Sequence, residues 1–310
     1  MNRYIAIDGG TTNTRVFLTE GEKIISSVKI PIGARKNIDG TGALKSAIKD
    51  AISQLLLAAK ISEGDVCAII ASGMITSEFG LINLPHLVAP VGISELHRGI
   101  AKKSVPEVST LEINFIPGVK TVGTLDRTDM MRGEETELMG IQSPEYKECI
   151  YVLPGSHSKI IRTDNDGRIS TFSTTLTGEM LASLTEGTIL RDAVSLGCNE
   201  LDEESLFCGY EYAHAHGLNE ALFKTRILKN LFGKSPKECY SFFLGAVLAD
   251  EIDTIATAEA KTVVIGGRKQ IKLATKHLVE RFSDKRVIAL SDSEVDTSTV
   301  RGMVKIFEAK

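Results

Sequence analysis

Eight residues near the start of the chain carry the clearest chemistry. The run Asp8-Gly9-Gly10-Thr11-Thr12-Asn13-Thr14-Arg15 sets one carboxylate before two glycines and a row of small polar side chains. Glycine lets the backbone approach a polyanion closely, and successive N–H groups can form an anion nest. The threonine hydroxyls of Thr11 and Thr12 and the Asn13 amide add neutral donors. Asp8 can hold Mg2+ through water, because that ion keeps much of its hydration shell. The common phosphate-loop patterns are absent, and the residues after the turn read as a strand rather than a helix. A plain hairpin with a polar tip is the competing reading.

A second turn, Pro154-Gly155-Ser156-His157-Ser158-Lys159, repeats the theme: a permissive glycine, small hydroxyls and a cation for phosphate charge. Between the two turns, Asp129, Arg132, Glu134 and Glu135 crowd a predicted helix start. Carboxylates there complement the helix dipole, so end-capping explains them. They also suit phosphoryl transfer, which is mostly positioning and charge neutralisation with a carboxylate taking the hydroxyl proton late. Asp129, Glu134 and Glu135 all qualify as that base. Ser72, Gly73 and Met74 end a predicted strand, where ligands gather in open α/β sheets. Thr177-Gly178-Glu179 opens a helix and doubles as a cap.

These residues need strands and helices to position them. Arg3–Ile7, Thr14–Leu18 and Lys23–Ile30 read as three strands with turns at Gly9-Gly10 and Glu20-Gly21-Glu22. Leu44, Ile48, Ile52, Leu55 and Leu56 recur at helical spacing. Strands are predicted at Asp65–Ala71 and Ile113–Ile116, then a helix from Asp129 to Ile141 that stops before Ser143-Pro144. The second half opens in the same order, with strands Cys149–Leu153, Lys159–Arg162 and Arg168–Ser173. Helices are predicted from Gly178, Leu218 and Ser235, the last with a capping box and Pro236. Strand Lys261–Ile265, helix Leu273–Phe282, strand Arg286–Leu290 and helix Thr297–Phe307 complete the chain. The expectation is an α/β protein of two lobes, 1–142 and 143–310, with a central cleft and a final helix that packs back on the first lobe.

The 310 residues fit two domains at about 150 residues each. A net charge of −4, without a basic run, gives no reason to expect nucleic acid. The apolar stretches Val66–Ile75 and Gln54–Ile61 are far short of the roughly 20 residues a bilayer needs, and Asp8 sits where a signal peptide would be apolar. Five scattered cysteines (Cys67, Cys149, Cys198, Cys208 and Cys239) contain no C-x-x-C pair and fit reduced thiols. The expected location is the cytoplasm. His214 and His216 read as solvated surface. The oligomeric state stays open, a homo-oligomer included.

Asp8–Arg15 resembles the first phosphate loop of the sugar kinase/actin/hsp70 superfamily. Ser72–Ile75, Asp129–Glu137, Leu153–Lys159 and Thr177–Met180 narrow the resemblance to the 2-dehydro-3-deoxygalactonokinase family. It runs with specific motifs to about Thr185 and loosens beyond. It implies an actin-like ATPase (ribonuclease H-like) fold. It also implies ATP- and Mg2+-dependent phosphorylation of the 6-hydroxyl of 2-dehydro-3-deoxy-D-galactonate, in D-galactonate catabolism. The resemblance puts the base at the helix start, Glu134, with Asp129 close behind. An acidic substrate calls for cations, for which Arg132 and Arg35 are candidates, with Glu135, Ser72, Gly73, Met74, Thr177 and Glu179 around the sugar. Gly266-Gly267 resembles the adenosine-side glycine pair. Leu81 stands where relatives often carry an aromatic residue, and Ser156 where they carry threonine. Two other readings stand beside the kinase: an exopolyphosphatase-like hydrolase of the same superfamily, and a non-enzymatic, ATP-switched binding protein.

Overall fold

The computed structural model describes residues 2–34, 42–146, 148–194, 200–267 and 269–309. The chain divides into two compact units. One comprises Met1–Glu145, Gly167–Thr171 and Ser293–Lys310, the other Tyr146–Asp166 and Phe172–Asp292.

The first unit is built on β1 (Arg3–Gly9), β2 (Thr14–Glu20) and β3 (Lys23–Ile30), an antiparallel meander. β4 (Ala68–Gly73) pairs with β1 in parallel and β7 (Ile113–Phe115) pairs with β4 in parallel; β6 (Ala101–Lys103) closes the edge, giving the order β3-β2-β1-β4-β7-β6. Tyr4, Ile5, Ala6 and Ile7 are all buried, as a central strand covered on both faces requires. β3 lies at the edge, and its residues alternate between exposed and half-buried. Helix α1 (Ala43–Ala59) lays Leu44, Ile48, Ile52, Leu55 and Leu56 on this sheet, and they merge with Ile5, Ile7, Val16 and Ile69 in one core. The sheet β5-β8-β9 consists of β5 (Leu87–Val88), β8 (Val119–Thr121) and β9 (Asp129–Met131). Helix α2 (Ile93–Arg98) follows β5.

Two of the departures from the expected boundaries have a visible local cause. The predicted strand Asp65–Ala71 begins at Ala68, because Glu63–Asp65 forms a turn locked by the Ser62 amide donating to Asp65 Oδ2 at 2.8 Å. The predicted helix Asp129–Ile141 divides. Asp129–Met131 pairs with β8, Gly133 takes φ 115°, and helix α3 runs only over Glu134–Ile141. A positive φ of that size stops a helix from extending backward through Gly133.

The second unit repeats the plan with β10 (Ile150–Leu153), β11 (Ser158–Thr163), β12 (Ile169–Thr175), β13 (Thr262–Ile265) and β14 (Arg286–Ala289), in the order β12-β11-β10-β13-β14. β13 is parallel to both β10 and β14. Its helices are α4 (Thr177–Gly187), α5 (Glu203–His216), α6 (Leu218–Phe232), α7 (Pro236–Ala256) and α8 (Lys269–Phe282). α7 starts at the anticipated box, Ser235 Oγ accepting from the Glu238 amide at 3.3 Å. The sequence reading missed α5, whose Gly209 and Gly245 on α7 face each other's helix backbone so closely that a Cβ at either would run into a carbonyl oxygen.

Helix α9 (Asp292–Glu308) packs against α3 in the same way, Gly302 over the Thr136 carbonyl and Gly140 over that of Ser298. Tyr4 reaches the same helix, its hydroxyl donating to Glu308 Oε1 at 2.5 Å.

Gly209→Ala should lower unfolding stability by about 1–3 kcal/mol, since a methyl must enter packed backbone. Gly187→Ala, at a helix end with nothing within 4 Å of the added carbon, should be neutral or slightly stabilising. Urea titration of both variants checks the contrast.

Candidate active site

In the first unit, three backbone segments meet at the C-terminal ends of β1 and β4. Gly9 lies opposite Gly73 in the parallel ladder, and Asp8 opposite Ser72. A Cβ on Gly9 would sit 2.6 Å from Ile75 Cβ; one on Gly73 (φ 86°) would sit 2.5 Å from the Gly9 carbonyl oxygen. A Cβ on Gly133 would in turn sit 3.3 Å from Gly73 Cα. The three glycines therefore bring the first turn, the end of β4 and the start of α3 into backbone contact. The turn closes on itself, with the Gly10 amide donating to the Asn13 carbonyl at 2.9 Å. Gly33, not singled out by sequence, supports it from below; the Ala34 amide donates to the Gly10 carbonyl at 3.1 Å. Thr11 and Thr12 are exposed at the tip, while Thr14 is buried with its hydroxyl on the Ile32 carbonyl at 2.9 Å.

Asp8 is half-buried at the end of β1. Burial pushes its carboxyl above the usual aspartate range, Arg15 opposes this, and Glu134 reinforces it. Glu134 opens α3 and accepts the Arg132 amide at 3.1 Å. Glu137, one turn on, was missed, although its i+3 spacing from Glu134 is readable. Burial, Glu134 and Asp8 push its carboxyl up to about 8. Asp8, Glu134 and Glu137 thus form one electrostatically coupled acidic group.

The structure corrects the roles of several neighbours. Glu135 is fully buried and takes the Gly133 amide on both oxygens, at 2.9 and 2.8 Å, so it presents no surface to a sugar. Thr136 donates to Glu135 Oε1 at 3.1 Å, which makes Ser72 the donor in its 2.6 Å contact with Thr136 Oγ1. Ser72 is therefore a tie between β4 and α3 and not a ligand group. Arg132 gives one terminal nitrogen to the Thr76 carbonyl and hydroxyl, both at 2.7 Å, and the other to the Leu84 carbonyl at 3.0 Å and His86 Nδ1 at 3.3 Å. All four terminal N–H groups being engaged, the two-to-two grip on a substrate carboxylate is not available to it. His86, also missed, is held neutral: burial first, then Arg132 and Lys120, lower its pKa to about 4. Met74 is half-buried directly after Gly73. Asp129 lies on β9 opposite Thr121, its carboxylate accepting the Met130 amide at 2.7 Å. Arg35 lies outside the described residues.

In the second unit the turn 154–157 joins β10 to β11 and gathers two other predicted segments. A Cβ on Gly178 would collide with the Gly155 carbonyl, and the Glu179 amide donates to the Ser156 carbonyl at 3.1 Å. A Cβ on Gly267 would come 2.7 Å from Pro154 Cδ, and the Gly266 amide donates to the Val152 carbonyl at 2.9 Å. Gly155 and Ser156 are exposed, and His157 Nε2 stands 3.3 Å from the exposed Glu179 carboxylate. Ser158 and Lys159 are buried on β11, at the foot of the turn and not at its exposed tip. Thr177 is buried as well, its hydroxyl donating to Glu251 on α7, which corrects its assignment to the sugar.

No helix among the described residues is long and apolar enough to cross a membrane. His214 and His216 are exposed, His214 Nδ1 lying 2.9 Å from Asp253.

Glu135 and Glu137 make stability fall with rising pH. Both hold a proton in the folded state up to about pH 8, against an ordinary glutamate value of 4.5, so the native chain binds more protons across that window. Their contribution is intact below pH 4.5 and is lost as pH rises through the folded values. Thermal midpoints should therefore decline between about pH 5 and 8, and Glu135→Gln should flatten the decline.

The family model described as 2-keto-3-deoxy-galactonokinase matches residues 8–306. The 2-dehydro-3-deoxygalactonokinase of Escherichia coli K12 is 30% identical over 275 residues, 85% of each chain. A Sinorhizobium meliloti crystal structure, provisionally named a 2-dehydro-3-deoxygalactonokinase, superposes with a TM-score of 0.80 at 21% identity, covering 99% of this chain and 98% of that one. The activator of 2-hydroxyisocaproyl-CoA dehydratase from Clostridium difficile, solved with bound ADPNP, gives a TM-score of 0.50 at 13% identity over 99% and 94%. These two structures speak to the fold, which is α/β and of the actin-like ATPase (ribonuclease H-like) kind, as expected. Matched over residues 8–306, the chain belongs to the 2-keto-3-deoxy-galactonokinase family and is a sugar kinase.

Proposed function

We propose that the chain transfers the γ-phosphoryl group of ATP to the 6-hydroxyl of 2-dehydro-3-deoxy-D-galactonate, within D-galactonate catabolism in the cytoplasm. The observation that supports this most is the backbone contact of Gly9, Gly73 and Gly133, which sets the carboxylates of Asp8 and Glu134 beside a phosphate-type turn. In this reading the unit carrying Gly9–Asn13 also takes the sugar acid, and the unit carrying Gly155–Lys159 takes the adenosine side, with Gly266-Gly267 against the base. The exposed Thr11, Thr12 and Ser156 offer hydroxyls to phosphate oxygens, and the turn amides offer N–H donors.

Glu134 is the base in this reading. It starts α3, and its carboxylate is oriented by the Arg132 amide. Its task is to receive the proton of the substrate hydroxyl late in the transfer. Arg132 acts at one remove, fixing the 76–86 segment to the residue before Gly133.

Mg2+ fits the donor set. Asp8 is a hard oxygen ligand whose burial and acidic neighbour disfavour its bare charge, a condition a cation relieves. Among the described residues no group of three potential ligands forms a protein cage. Mg2+ in phosphoryl-transfer sites is ordinarily held by one or two carboxylates together with substrate phosphates and water. When bound, the ion neutralises charge on the β- and γ-phosphates.

ADP release should depend on the sugar acid, and should be faster with the galactonate-derived than with the gluconate-derived 3-deoxy-2-keto acid. Phosphate release from ATP or polyphosphate without any acceptor would favour the hydrolase reading instead. Glu134→Gln should lower kcat by about 10²–10⁴ with ATP binding intact, and Asp129→Asn should leave kcat within a few fold. Steady-state kinetics with calorimetric ATP titration separates the two carboxylates.

A further inference from the structure

A buried carboxyl lies beside the second turn and has no part in the chemistry above. Glu251 is 2% exposed on α7, whose surrounding residues Phe243, Leu244, Leu248, Ile252 and Ile255 pack the core of the second unit. Its Oε1 accepts hydrogen bonds from the hydroxyls of Thr175 and Thr177, whose oxygens are 2.8 Å apart. Thr175 ends β12 and Thr177 opens α4. The hydroxyl of Ser158, the first residue of β11, faces the same carboxyl. Ser158 Oγ and Glu251 Oε2 are both buried and both lack a hydrogen-bond partner.

An apolar side chain would serve the core at this position without the cost of desolvating a carboxyl. What the carboxyl adds is the joining of three chain segments that border the glycine turn. Ser158 directly follows Gly155-Ser156-His157, and Thr177 precedes Gly178 and Glu179, which touch the Gly155 and Ser156 carbonyls. Burial pushes the carboxyl above the usual glutamate range, with the three hydroxyls opposing. A hydrogen bond between Oε2 and Ser158 Oγ would satisfy both orphaned atoms at once.

We propose that Glu251 is a positioning residue for the second phosphate turn, its buried carboxyl tying Ser158, Thr175 and Thr177 together so that Gly155-Ser156 is held against the first turn of α4. The role in ATP binding rests on the assignment of that turn to ATP; the role in ordering the turn does not.

The test compares Glu251→Leu, Glu251→Gln and Thr177→Val in the full-length chain. The readouts are ATP affinity by calorimetry, separate KM values for ATP and sugar acid, and amide hydrogen exchange at 155–158 and 178–180. Glu251→Leu should weaken ATP binding by about tenfold or more, raise KM for ATP and not for the acid, and accelerate exchange at those amides. Glu251→Gln, which keeps an acceptor for the threonines and a donor for Ser158, should stay within about threefold of the parent. Thr177→Val should shift the same readouts in the same direction by less. Wild-type affinity and exchange in Glu251→Leu, whatever its melting temperature, would overturn the proposal. If that variant does not fold, unchanged values in Thr177→Val would overturn it equally. A parent chain that fails to bind ATP refutes the functional reading, and amide exchange then still decides whether Glu251 orders the turn.

Discussion

The absence of side chains at Gly9, Gly73 and Gly133 is the constraint on which the rest of the site depends. These residues belong to three separate segments, and each leaves the volume that the next one's backbone occupies. Two consequences follow from that contact. Asp8 is carried to the mouth of β1 with Glu134 close enough to raise its pKa. And α3 must begin where it does, because Gly133 sits at a positive φ that only glycine adopts without strain. The buried chain Ser72–Thr136–Glu135–Gly133 then fixes the same three segments a second time, through hydrogen bonds.

The second unit reaches a similar end by similar means. Its strand order β12-β11-β10-β13-β14 matches β3-β2-β1-β4-β7 element for element, and its turn likewise sits where a parallel pair of strands ends. In such sheets the C-terminal ends of adjacent parallel strands are where ligands collect. Here too glycines admit neighbouring backbone, Gly178 at the carbonyl of Gly155 and Gly267 at Pro154. The supporting polar group differs: a carboxyl from a core helix takes the place of the serine–threonine–glutamate chain.

Much of this was legible because it is local. The strand meanders, the α1 stripe, the Ser235 cap and the glycine turns all announce themselves within a few residues. Most of the failures come from dependence on partners outside the local window. Asp129–Met131 is strand because Val119–Thr121 lies beside it, and three residues carry no period of their own. α5 went unread because its buried face, Leu206, Gly209, Tyr210 and Ala213, mixes apolar residues with a glycine whose purpose shows only against α7. Arg132 looked available because its spacing to Glu134 is visible, whereas Thr76 and Leu84 lie some 50 residues upstream. Glu251 had a faint signal, an acid inside a greasy helix, yet the threonines that use it are 74 and 76 residues away.

The packing of α9 on α3 has an implication for biosynthesis. Thr136 and Gly140 lie in the helix that begins with Glu134, and the surface they offer is covered by Ser298 and Gly302. A ribosome has therefore already released the strands, both glycine turns and most helices into solvent before the segment that covers this helix emerges. Until then a nascent chain exposes one flank of the helix that begins with Glu134, and that flank is buried only by a segment more than 150 residues further along.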